Sequence, residues 1–175
     1  MRNLILITVI WVTVTFNYYM INFQVKYFPG SFDVNTVAMF ASDIPFCLLA
    51  GFLIRQLETR TVFMLFHAIQ IVASLTVLAF IDPENPGLAF PILIAFARGG
   101  VIAIFVTVWV AHPKMFPTLF AVTSMGISNI FSRSIVILAP MIAEVAFPTP
   151  IIIFAILNSI SCTCSYFIKA PEASK

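Results

Sequence analysis

Charge is scarce in this chain. Nine Lys and Arg and seven Asp and Glu make up 9% of 175 residues, where soluble domains carry roughly 25%. So few charges cannot cover a water-facing surface. A mean hydropathy of +1.07 and a hydrophobic fraction of 61% instead indicate an integral membrane protein in contact with a lipid bilayer. The net charge of +2 is carried by scattered residues, which excludes a basic face for nucleic acid. Cys47, Cys162 and Cys164 lie in apolar runs without a nearby His pair or carboxylate cluster, so they read as small hydrophobes and not as metal ligands. The sequence has no G-x-S-x-G or H-E-x-x-H motif and no paired mid-membrane carboxylates. These absences argue against an intramembrane enzyme, and no cofactor or metal is implied. A regular set of carboxylates or a glycine run of the kind that builds a channel filter is missing as well.

What is present is a series of long apolar runs. A hydrocarbon core about 30 Å thick takes roughly 20 apolar residues per helix. At that window the sequence predicts an all-α polytopic bundle of six spans, over 4–22, 34–54, 61–81, 88–111, 119–143 and 150–168. Arg2 ahead of the first apolar run resembles the start of a signal peptide. No small-x-small cleavage site follows, so the segment reads as a retained first helix. The joints F-P-G-S-F-D, R-Q-L-E-T-R, D-P-E-N-P-G, H-P-K-M-F-P and F-P-T-P carry turn chemistry. With the N-terminus inside, Arg2, Arg55, Arg60, Lys114, Lys169 and Lys175 fall on the inner side and Lys26 on the outer side. Positive residues are retained in the cytoplasm, so both termini are expected there.

Three ionisable groups stand inside spans: Asp43, Arg98 and Arg133. Each costs at least about 2.5–3.5 kcal/mol at mid-membrane and so must find protein, water or a partner. One acid and two bases leave a surplus cation. Either the second arginine snorkels or binds backbone carbonyls, or the surplus receives a negative group from a solute. Gly126, Asn129, Arg133 and Pro140 are spaced to share one helical face. Ser124, Ser128, Ser132 and Ser134 read as packing residues. Pro45 and Pro91 suggest local breaks, and Pro45, Gly126 and Pro140 are the candidate bending points. Tyr18 and Tyr19, near the outer end of the first span, read from the residues alone as interface anchors. His67 and Gln70, three apart, read as one hydrogen-bonded pair, and His112 as a solvated residue at the inner surface.

The stretch F-P-T-L-F-A-V-T-S-M-G-I-S-N-I-F-S-R-S-I-V-I-L-A-P (116–140) resembles the organic cation, organic anion and carnitine transporter family of the major facilitator superfamily. Pro117, Thr118, Gly126, Ser132, Arg133, Ala139 and Pro140 keep that family's spacing. Tyr18 and Tyr19 resemble its paired tyrosines, Asp43-Ile44-Pro45 its acidic-aliphatic-proline motif, and Arg98 a basic residue that follows. The resemblance covers nearly the whole chain and implies the C-terminal six-helix half of a twelve-helix carrier. On that basis Arg133 with Asn129 would meet an anionic or zwitterionic solute, Tyr18 and Tyr19 would wall the same cavity, and Asp43 with Arg98 would form an internal charge network. A small organic ion and an N-terminal six-helix half, or another half-transporter, are the implied partners, and the plasma membrane is the implied location. Lys114, Ala121, Cys47 and the loop I-R-Q-L-E-T-R depart from the family's charged positions. A truncated, non-transporting six-helix partner or regulator, or a gene-model fragment, is the alternative.

Overall fold

A computed structural model describes residues 2–168. Lys169 and Lys175, counted above for orientation, lie outside the described residues. The described chain is all helical: α1 (Arg2–Gln24), a 3-10 turn (Val25–Tyr27), α2 (Phe32–Gln56), α3 (Thr59–Phe80), α4 (Ala89–Met115), α5 (Thr118–Val136), α6 (Ala139–Ala143) and α7 (Thr149–Phe167). Six of these helices are long and apolar enough to cross a membrane.

α1 and α4 form the centre. They pack on each other, and between them they touch every other helix. Their buried positions follow helical spacing, as with Ile7, Ile10, Trp11, Val14, Asn17, Met20 and Ile21 on α1. In the most apolar stretch of α1 and of α4, 56% of residues are buried, against 17% for α2 and α5. α2 lies against α4 on one flank, α5 lies against α1 on the other, and α3 and α7 pair behind.

Because lipid tails are as apolar as leucine, close approach and hydrogen bonds, not apolar burial, hold membrane helices together. Gly99 and Gly100 supply the close approach on α4. A Cβ on Gly99 would stand 2.3 Å from Phe46 Cδ2 of α2, and one on Gly100 would stand 2.5 Å from Gln70 Cγ of α3. α5 uses serine instead: Ser124, Ser128 and Ser132 are its buried residues, and Ser128 Oγ lies 2.8 Å from Thr8 Oγ1 of α1. Ser134 is exposed.

The boundaries differ from the expected spans at prolines. The run 119–143 is not one helix. α5 stops at Val136, Ile137 and Leu138 turn, and α6 resumes at Ala139, because Pro140 has no N–H to give to the Val136 carbonyl. α2 runs without interruption through Pro45, since one lost hydrogen bond inside a membrane helix is made up by its neighbours. Pro91 is the third residue of α4, where the backbone N–H would have no intrahelical partner anyway. α4 continues four residues past the expected end, through Pro113 to Met115.

Candidate functional site

Arg98 of α4 is completely buried, and it is fully paired. Its Nε donates to Asp43 Oδ1 at 3.1 Å and its Nη2 to Asp43 Oδ2 at 3.1 Å, the bidentate geometry that suits a planar guanidinium. Its Nη1 donates to Asn22 Oδ1 of α1 at 2.7 Å. The same guanidinium stacks 4.2 Å from the Tyr18 ring and 5.4 Å from the Phe40 ring. Asp43, at 27% side-chain exposure, keeps one edge open. The charge pair is therefore neutral and tied to both central helices.

From Tyr18 the seam continues along α1. Tyr18 and Tyr19 meet edge to face, ring centroids 5.3 Å apart, and Arg133 Nη1 donates to the Tyr19 hydroxyl at 3.0 Å. Asp43, Arg98, Tyr18, Tyr19 and Arg133 thus form one line across α2, α4, α1 and α5. Sequence reasoning named these five, but it did not name Asn22 or Phe40. Asn22 stands four residues past Tyr18 on the same helical face, and that spacing was the available signal.

Arg133 differs from Arg98 in both surroundings and position. It is exposed. Among the described residues the ion pairs are Arg98–Asp43 and Lys26–Glu144, and Arg133 takes part in neither. Because α5 ends at Val136, Arg133 lies in its last turn and not at the middle of a longer span. A cation is favoured there by the helix dipole and the free carbonyls, which offsets part of its cost in the membrane. Of the five N–H donors of a guanidinium, one is engaged by Tyr19.

The rest of the expected polar stripe does not gather around Arg133. Asn129 is half-buried and donates to Met125 O of its own helix at 3.1 Å. Gly126 has nothing within 4 Å of where a Cβ would stand, so it leaves open space on this face. Pro140 is separated from the stripe by the turn at 137–138.

The two histidines also differ from expectation. His67 does not pair with Gln70. Its Nε2 lies 2.9 Å from Ser161 Oγ of α7, while Gln70 donates to Phe66 O at 3.3 Å. Behind this bond Asn17 Nδ2 donates to Asn158 Oδ1 at 3.2 Å, so α1, α3 and α7 share a buried polar tie. His112 is not solvated; it is fully buried between aromatic rings.

Among the described residues no group of three or more His, Cys, Asp or Glu is placed to hold a metal ion. No family model matches the chain, and no curated protein matches it significantly.

Proposed function

We propose that the chain is a six-helix half of a major-facilitator-type carrier and moves small organic ions, anionic or zwitterionic, by alternating access. The observation that carries this reading is the contrast between the two intramembrane arginines. Arg98 is neutralised by Asp43 at two contacts, while Arg133 is exposed beside Tyr19 without a carboxylate. A lone cation within a span is a costly feature, and an incoming carboxylate relieves that cost. Low surrounding dielectric strengthens the attraction. The Tyr18 and Tyr19 rings offer apolar walls for the body of the solute.

An N-terminal six-helix half is the partner expected to cover the face formed by α1, α2, α4 and α5. Lipid covers apolar helices well, but it offers no acceptor to the Arg133 donors that the Tyr19 hydroxyl does not engage. Both termini are assigned to the cytoplasm, because Arg2, Arg55, Arg60 and Lys114 belong to one end and Lys26 to the other. The plasma membrane is the proposed site of action.

The test is uptake of radiolabelled carboxylates and betaines by membrane vesicles from source cells in which codon 133 is edited. Arg133→Ala is expected to abolish uptake of anionic and zwitterionic solutes while insertion and abundance stay unchanged. Equal uptake by wild type and variant refutes the substrate role of Arg133, and no uptake by wild type refutes the carrier reading.

A further inference from the structure

At the end of the bundle assigned to the cytoplasm, His112 is buried in the last turn of α4 with both ring nitrogens, Nδ1 and Nε2, lacking a hydrogen-bond partner. Trp11 covers it edge-on at 5.7 Å, and Phe116 covers it at 5.0 Å between ring centroids. A buried polar ring without partners is unfavourable, so access to a hydrogen-bonding group would relieve part of the cost of burying His112. The local backbone makes opening easy. Pro113 removes one hydrogen bond from the last turn of α4, and Phe116 sits just past the helix end in the two-residue connector to α5. Phe116 is half-buried. On its other side it lines a cavity of about 270 Å³ shared with Leu4, Phe120 and Ser124, room into which its ring can swing.

The approach to this point is aromatic. From Tyr18, ring contacts run through Phe105 at 6.0 Å, to Trp11 at 6.5 Å, and from Trp11 to His112. Trp109 flanks Trp11 at 5.0 Å. This track joins the Arg133 end of α1 to the His112 end.

We propose that His112 is a second binding point for the carboxylate of the solute, uncovered when the Phe116 ring moves into the adjacent cavity. The imidazole donates one N–H to the carboxylate, and its other nitrogen accepts from water. The inference rests on the carrier reading, but its test does not need transport.

The chain has two histidines, and His67 serves as the internal control, being fully buried and bonded to Ser161. The full chain in lipid nanodiscs is treated with diethyl pyrocarbonate, and carbethoxylation of each histidine is followed by mass spectrometry. The expected result is modification of His112 at least about tenfold faster than His67, since local opening precedes global unfolding. Phe116→Ala speeds it further, and benzoate slows it while equimolar chloride does not. Equal protection of the two histidines overturns the lid. Modification of His112 that benzoate and chloride affect alike overturns the carboxylate site. Benzoate-protected labelling without vesicle uptake would leave this binding point standing and remove the carrier reading alone.

Discussion

Removing the Asp43 carboxylate isolates a buried cation. Arg98 is completely buried and spends two of its donors on Asp43. Breaking such a pair from one side costs about 3–5 kcal/mol. Asn22 and the Tyr18 ring stay in place beneath the guanidinium, so the expected cost of Asp43→Ala is about 2–4 kcal/mol. Arg98→Met should cost less, because the carboxylate left behind is already 27% exposed and reaches water more readily. The double variant Asp43→Ala with Arg98→Met buries no charge, and it should recover at least about 1.5 kcal/mol relative to the sum of the single changes. Unfolding by SDS in mixed micelles, followed by the fluorescence of Trp11 and Trp109, measures all four corners of the cycle. If Asp43→Ala costs less than about 1 kcal/mol, or the double variant is no better than additive, the pair does not hold α2 to α4 and the contrast with Arg133 loses its basis.

Three further outcomes follow from packing and from the buried polar tie, all read by the same unfolding assay. Gly99→Ala places a Cβ 2.3 Å from Phe46 Cδ2 and should cost about 1–3 kcal/mol, with recovery when Phe46→Leu is added. Gly126→Ala meets nothing within 4 Å and should stabilise α5 by about 0.5–1 kcal/mol through helix propensity; a loss of stability there would mean that the face around Arg133 is already covered. Ser161→Ala removes the hydroxyl that meets His67 Nε2 and should cost about 1 kcal/mol, whereas a neutral result would mean that the ring finds another partner between α3 and α7.

By itself the sequence determined how the chain partitions between lipid and water. Hydropathy is a sum along the chain, so the existence of six apolar helices and the scarcity of charge within them were legible from composition and run length. The tyrosine pair, Asp43, Arg98 and Arg133 were also legible, because ionisable and aromatic residues in an apolar run stand out against their neighbours. Hydropathy and spacing did not say which arginine Asp43 would neutralise; only the family resemblance implied Arg98. That choice depends on how α2, α4 and α1 are rotated against one another, and Gly99 and Gly100 set the rotation by letting Phe46 and Gln70 approach α4. The position of Arg133 in a last turn, the partner of His67 and the burial of His112 were hidden for related reasons. The first depended on whether Pro140 ended α5 or only bent it, and the other two on side chains brought from distant helices. Local pattern fixes which segments enter the membrane, while helix packing alone decides that Arg98 is neutralised and Arg133 is left with its charge exposed.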